Sequence, residues 1–499
     1  MSKHVMLIDA ALSHAVAHLA DTQRTTQEVV WATGFDILLH LLGYPFQELD
    51  ADRCFAELVR NCASRQGASA AVATGWDITV SGGQRDVQVV LHLPANLAGD
   101  DPSRHGAWLL SLVGRLIDSP ATPVKQFDVL GLDEVAVQLE RARGSRATYP
   151  RDARIEALCF DRAASDPHKI AVIDGSIELT FAQLCERAEM LAAELRDLGV
   201  ETGESVVLLM PRSASIVVAA LAVLRTGGVY VPVDPEYPHE RIRYLLEDSG
   251  ARYLVRQAGG AAIETGVAAM VLELDCLGAL EHVCACPNQR PARRIAAAPD
   301  PAFQPAYLMY TSGSTGQPKG VPVSHRGVVR LAYGLDDLTL DTSTVMLYAG
   351  AVGFDSTVFE MWCALIHGGC LCIATRNDLL DSDSLKVLLV RHKVNTLFMT
   401  PALFAMHADR EATLFAPLRQ IVLGGDRFPV RQAEIVARAC PDLVFANGYG
   451  PTENTVFSTM CQVVPSAASA VSIGRPIGHS TAYVLLTGAP NSALRVIRV

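Results

Sequence analysis

The reading of this 499-residue chain turns on Tyr310-Thr311-Ser312-Gly313-Ser314-Thr315-Gly316-Gln317-Pro318-Lys319-Gly320. The stretch holds three glycines, one lysine and hydroxyl side chains at Thr311, Ser312, Ser314 and Thr315. The run before it, Ala306-Tyr307-Leu308-Met309-Tyr310, is apolar and aromatic and predicts a strand. A strand entering a hydroxyl-rich glycine loop makes a cradle for phosphate. Glycines let backbone N–H groups turn toward an anion, hydroxyls add donors, and lysine adds charge. The loop is not of the G-x-x-x-x-G-K-[ST] kind. Counting from Gly313, Pro318 stands where glycine is needed, and Gly320 stands where Ser or Thr is needed. A plain surface loop has a similar composition, but the strand and the lysine favour the cradle.

Upstream, apolar runs alternate with helical periodicity. Ile170–Gly175 reads as strand and turn, Val206–Met210 as a strand, and Tyr230–Asp234 as a third strand. Between them, Leu184, Ala188, Leu191 and Leu195 recur at helical spacing, with Thr180 as N-cap and Gln183 completing a capping box. Further helices are expected over Ser213–Leu224, ended by Gly227-Gly228, and over Pro238–Ser249. This β–α–β–α–β alternation predicts a parallel sheet wrapped by helices. Downstream, Phe354-Asp355-Ser356-Thr357 precedes an apolar helix, where an aspartate can serve as cap. Thr396–Pro401 reads as a strand end, Gln420–Asp426 as a strand running into a glycine turn, and Asn447–Glu453 as a second glycine turn.

Half of the residues are hydrophobic, 19% are charged and the net charge is −11. Such a composition suits large buried α/β cores and disfavours nucleic acid as partner. Apolar stretches such as Ile216–Leu224 are too short to span a bilayer, and the first residues lack a signal-peptide pattern, so a cytoplasmic location is expected. The twelve cysteines include no CxxC, only Cys284-Ala-Cys286 and Cys370-Leu-Cys372. Incidental thiols in a reducing compartment explain them better than metal or disulfide. His14 and His18 stand at i, i+4 without a third ligand nearby.

The downstream blocks resemble those of the adenylate-forming, AMP-binding enzymes, and in wording the amino-acid adenylation domains of nonribosomal peptide synthetases. The motifs are Leu179-Thr180-Phe181-x-x-Leu184, Leu224–Asp234, Thr311–Gly320, Phe354-Asp355, Asn447–Glu453 and Ser472–Ile477. Tyr230-Val231-Pro232-Val233-Asp234 is closer to amino-acid adenylation domains than to acyl-CoA ligases. The resemblance implies an α/β large subdomain of helix-wrapped sheets plus a small β-barrel. It implies ATP and Mg²⁺ as ligands, with the phosphates on Thr311, Ser312, Gly313, Ser314, Thr315, Gly316 and Lys319. Gly425, Asn447, Tyr449, Gly450 and Thr452 would complete the nucleotide site. Tyr449, flanked by glycines, can offer its ring to adenine. Glu453 would supply an oxygen ligand for Mg²⁺, and Thr311, Lys319, Thr452 and Glu453 would serve catalysis. Asp355 would pair with the substrate's α-amino group. The implied substrate pocket is Asp355, Ser356, Phe359, Phe398, Val422, Gly424, Gly448, Val456 and Phe457. Apart from Asp355 it is small or apolar, which favours a neutral aliphatic amino acid, valine-like before leucine or isoleucine. One methylene discriminates by only ~1–3 kcal/mol.

The N-terminal part predicts helices, a hairpin of Trp76–Val80 with Val87–Leu91, and a helix over 104–117 with Leu109, Leu112, Val113 and Leu116 on one face. With the Tyr44-Pro45-Phe46 turn and the Leu130–Glu134 exit, it resembles the C-terminal half of a condensation domain, of α+β, acetyltransferase-like fold. That family's His-His-x-x-x-Asp-Gly site is absent, since no His-His pair occurs in the chain. The expected organisation is a partial condensation-like domain over 1–138, a linker over 139–150, an adenylation large subdomain over 151–490 and an unmatched tail over 491–499. The family's later Tyr-Arg-Thr-Gly-Asp block and late lysine do not appear after Leu486, and the tail is expected to be out-of-frame sequence. A carrier bearing pantetheine would then act in trans. Two alternatives stand beside this reading: an acyl- or aryl-CoA ligase, and a fragment that binds without catalysing.

Overall fold

The computed structural model describes residues 2–8, 10–41, 52–64, 77–81, 88–93, 102–127, 136, 139–140, 142–259, 270–284, 295, 300–312, 317–465 and 471–483. Gly313, Ser314, Thr315 and Gly316, the Tyr44-Pro45-Phe46 turn, the 82–87 hairpin connection, the Leu130–Glu134 exit and the tail lie outside these residues. The chain forms two units, Met1–Glu140 and Arg141–Val499. No helix among the described residues is long and apolar enough to cross a membrane.

In the first unit, β1 (Ser2–Leu7), β3 (Gln88–Leu93) and β2 (Asp77–Ser81) form an antiparallel sheet in that order. The expected hairpin partners β2 and β3 are paired, Asp77 opposite His92 through Ser81 opposite Gln88. Helix Pro102–Asp118 places Leu109, Leu112, Val113 and Leu116 in a core with Trp31, Phe35 and Phe55, all without solvent exposure. His14 and His18 are both exposed.

Among its described residues the second unit holds two sheets. The seven-stranded one runs β10 (Leu280–Cys284), β9 (Met270–Leu274), β8 (Tyr253–Gln257), β6 (Ser205–Leu209), β7 (Val229–Val233), β11 (Pro305–Thr311), β12 (Lys319–Ser324). The nine-stranded one runs β19 (Arg475–Pro476), β18 (Thr459–Val463), β17 (Val444–Tyr449), β16 (Gln420–Gly424), β15 (Thr396–Met399), β13 (Val345–Tyr348), β14 (Cys370–Ile373), β4 (Ile170–Asp174), β5 (Ile177–Thr180). Both have parallel centres and antiparallel edges. The described strands are used up by these sheets, so the described residues contain no separate small barrel.

Two expectations are corrected. The strand Ile170–Asp174 does not join Ser205–Leu209 and Val229–Val233; it pairs with β14 and β5 in the other sheet. Local alternation reports strand and helix, not which sheet recruits the strand. Leu179 and Thr180 close β5, and the helix starts at Phe181, as an N-cap at Thr180 requires. Asn447–Tyr449 is the end of β17 rather than a turn, because Asn447 pairs with Cys461 and Tyr449 with Thr459 on β18.

The helices follow the sequence rules closely. Thr180 accepts the Gln183 N–H, and the Gln183 side chain accepts the Thr180 N–H, a complete capping box for Phe181–Asp197. Helix Ala214–Thr226 is capped by Ser213 and ended by Gly227 at φ 83°, a left-handed conformation suited to glycine. Every side chain from Ala214 to Leu224 is buried, so this helix is a core element of the unit. Trp362, fully buried on helix Ser356–Ile366, donates its indole N–H to the Tyr230 hydroxyl at 2.9 Å and ties that helix to β7.

Candidate active site

The site gathers at the carboxyl ends of the nine-stranded sheet. β13 is followed in sequence by β14 on one side, while β15 lies on its other side, which makes a topological switch point. In open parallel sheets the crevice at such a point is where ligands bind. The loop after β13 carries Asp355. Phe398 lies near the end of β15, Val422 and Gly424 at the end of β16, and Gly448 and Tyr449 at the end of β17.

Asp355 stands at the N-cap position of helix Ser356–Ile366 without capping it. Its Oδ2 instead accepts the Thr452 hydroxyl at 2.6 Å. The structure thus joins two residues that the sequence places 97 positions apart. Burial raises the Asp355 carboxyl above its ordinary pKa; the Thr452 bond opposes this, and nearby Glu453 adds to it. A cation brought beside Asp355 would gain from this shielding.

Behind Asp355, Phe359, Phe398 and Phe457 form a closed triangle with ring centroids 5.4 to 6.4 Å apart. All three are buried, as are Ser356, Val422 and Val456. A Cβ at Gly448 would lie 2.5 Å from the Phe457 ring, so only glycine fits there beside that ring. Thr455 and Val456 have φ of 61° and 65°. A left-handed backbone at two β-branched residues costs of order 1–3 kcal/mol each and persists only where the surroundings impose it. Here Arg330 donates to the carbonyls of Asn454 at 2.8 Å and Phe457 at 3.4 Å and holds the segment from both sides. Arg330 carries no motif, and its role rests on contacts far away in sequence.

The phosphate-loop candidates sit on the neighbouring sheet. Thr311 and Lys319 are cross-strand partners in the β11–β12 hairpin, so the hydroxyl and the ammonium leave from adjacent positions. Lys319 and Ser312 are exposed and Thr311 is half-buried. The hairpin is anchored by Tyr244, which donates to the Pro318 carbonyl at 3.0 Å, and by Tyr310, which donates to Asp248 at 2.8 Å. β12 packs against the short turn Thr452–Asn454, which brings the two sets together. On that rim Tyr449 and Glu453 are exposed. Asn447 is buried and donates to the Ser472 carbonyl at 2.8 Å. Gly425 turns at φ 90°, directly after β16.

A separate cavity of about 440 Å³ is lined by Asp174, Cys372, Asp378, Asp383, Arg391 and His392 among others and shares none of these residues. Its carboxylates are already engaged. Asp174 accepts the Ala214 N–H, Asp378 accepts the Thr375 N–H in a capping box and Asp383 pairs with Arg410.

An α/β fold with this crevice is that of the adenylate-forming enzymes. The family model for AMP-binding enzymes matches residues 159–491, and the chain belongs to that family. Tyrocidine synthase 3 of Brevibacillus parabrevis is 35% identical over 384 residues, covering 77% of this chain and 6% of that protein. Gramicidin S synthase 2 of Brevibacillus brevis is 32% identical over 414 residues, covering 82% and 9%. The chain therefore spans a small fraction of the length of the curated relatives it matches. Among solved structures, the four-domain nonribosomal peptide synthetase holo-AB3403, bound to AMP and glycine, superposes with a TM-score of 0.75 at 20% identity, covering 97% of this chain and 43% of that one. The N-terminal subdomain of Klebsiella oxytoca NpsA, in complex with 3-hydroxybenzoyl-AMSN, gives 0.55 at 26% identity over 65% and 80%. The AMP-binding domain is of the nonribosomal peptide synthetase adenylation type.

Proposed function

We propose that the second unit binds Mg·ATP and a neutral aliphatic amino acid and joins them as an aminoacyl adenylate. The observation that carries this reading is Asp355, a half-buried carboxyl that accepts the Thr452 hydroxyl and stands at the N-cap of the helix that carries Phe359, one of three packed and buried phenylalanines. The carboxylate would hold the ammonium, and the apolar walls a side chain without charge. The small or apolar residues Val422, Gly424, Gly448 and Val456 about the phenylalanines are read as favouring a short branched chain such as that of valine.

In this reading a substrate carboxylate oxygen attacks the α-phosphorus, the bond to the bridging oxygen breaks, and pyrophosphate leaves. Thr311, Ser312, Lys319 and the glycines and hydroxyls over 313–316 would grip the phosphates, with Thr452 beside them. Tyr449 would stack on adenine, with Asn447, Gly450 and Gly425 shaping that end. Catalysis would rest on positioning and charge neutralisation. Glu453, exposed and next to Thr452, fits a hard cation that takes few protein ligands and several phosphate or water oxygens. When bound, Mg²⁺ would neutralise phosphate charge. The aminoacyl group would then pass to a pantetheine thiol on a carrier domain, with AMP as the leaving group. The first unit is read as a partial condensation-like domain, a reading supported by the 97% coverage of this chain in the four-domain likeness.

ATP–pyrophosphate exchange across a panel of amino, fatty and aryl acids tests the proposal. Exchange with valine, lost in Asp355→Ala, supports it. Exchange with fatty or aryl acids alone overturns the amino-acid assignment, and ATP binding without exchange assigns a binding role.

A further inference from the structure

Two residues with ionisable side chains and no part in the reaction above, one buried and one half-buried, meet at the root of the loop that presents Asp355. Glu360, on helix Ser356–Ile366, is fully buried. Its carboxylate accepts the N–H of Ala349 at 3.3 Å and of Gly350 at 3.0 Å. Arg212, on the loop after β6, donates to the carbonyls of Ala349 at 3.1 Å, Gly350 at 2.9 Å and Ala374 at 3.1 Å. The backbone of Ala349 and Gly350 is thus held on its N–H side by an acid and on its carbonyl side by a cation. Because Glu360 reaches back from the helix that Asp355 precedes, it closes the 349–360 segment into a loop with Asp355 at its turn.

The arrangement leaves no slack. A Cβ at Gly350 would lie 2.7 Å from the Ser356 Oγ and 3.0 Å from the Glu360 Oε2. A Cβ at Gly353 would lie 2.3 Å from the Tyr237 hydroxyl. Burying an acid beside a half-buried guanidinium is costly, and apolar side chains of the same volume often serve stability as well. What apolar side chains cannot do is fix the direction of two successive peptide groups.

We propose that Glu360 and Arg212 are positioning residues: their clamp on Ala349 and Gly350 sets where Asp355 stands relative to Thr452 and so sets the affinity for the substrate ammonium without touching it. The proposal rests on the reading of Asp355 given above. Its test uses the full chain, L-valine with Mg²⁺ and α,β-methylene-ATP as probes, and amide hydrogen exchange over residues 345–356. In Glu360→Gln the affinity for the nucleotide analogue is expected to stay within about twofold, while L-valine binding weakens about tenfold, the scale of a small misplacement. The Ala349 and Gly350 amides should exchange at least about tenfold faster, with β17 unchanged. Gly350→Ala, which leaves both side chains in place, should reproduce both effects, and it decides alone if Glu360→Gln does not fold. Unchanged amide exchange in these variants overturns the clamp. Faster exchange with unchanged valine affinity overturns its positioning role. A wild-type chain that binds none of the amino acids refutes the reading of Asp355, and the amide exchange still judges the clamp.

Discussion

Asp355 is the residue on which the most chemistry converges. Its removal deletes the shielded anion and leaves Thr452 without its partner. A charge-assisted hydrogen bond is worth about 1.5–3 kcal/mol. Asp355→Ala should therefore weaken L-valine binding about 10- to 100-fold in calorimetry and leave nucleotide binding nearly unchanged. His325 makes a second residue-scale prediction. The imidazole is fully buried, its Nδ1 accepts the Ile155 N–H at 3.3 Å, and Arg154 lies 3.4 Å from Nε2. Burial, then Arg154, hold its pKa down to about 3. The folded state thus resists a proton that the unfolded chain accepts near the ordinary histidine value of 6.5. The stability tied to the neutral ring is complete above pH 6.5 and is lost as pH falls toward 3. In urea titrations between pH 6.5 and 4, the wild-type stability should fall more steeply than that of His325→Gln, by about 1.4 kcal/mol per pH unit for one proton.

The helices and strands show which local signals decide and which do not. The Thr180–Gln183 capping box is readable from spacing alone, and Thr180→Ala should cost about 1 kcal/mol, seen as a lower urea midpoint with unchanged slope. The strand before the phosphate loop and the helices ended by Gly227 and Gly250 are equally legible, since apolar run and stop residue sit next to each other. β5 escapes such a reading because four residues, one of them Glu178, are too few for a pattern. β12 is hidden by Pro322, a residue that an edge strand tolerates. In the candidate site, motif wording points to Asp355, Thr452 and the phenylalanines. It cannot give the bond between Asp355 and Thr452, the strain at Thr455 and Val456, or the supports Arg330, Arg212 and Glu360. Those depend on which carbonyls a guanidinium meets after folding, 137 positions away for Arg212 and Ala349.

The molecule as a whole has separate cores. Trp31, Phe35 and Leu112 belong to a cluster confined to the first unit, while Phe181, Leu221, Phe359 and Trp362 belong to another in the second. A chain beginning at Arg141 should therefore keep its own cooperative unfolding transition and bind α,β-methylene-ATP with the dissociation constant of the full chain, measured by calorimetry and circular dichroism. The pairing of residues 142–145 with the 477–482 segment, through the Gly144 N–H to the Ser480 carbonyl and the His479 N–H to the Ser145 carbonyl, gives such a chain an anchored start. The indole of Trp362 has one more consequence. The other tryptophans, Trp31, Trp76 and Trp108, all precede residue 140. Excited at the red edge of its absorption, a chain beginning at Arg141 would emit from a single buried fluorophore, on the same helix that Asp355 introduces. Its light would report occupancy of the crevice without any dye attached.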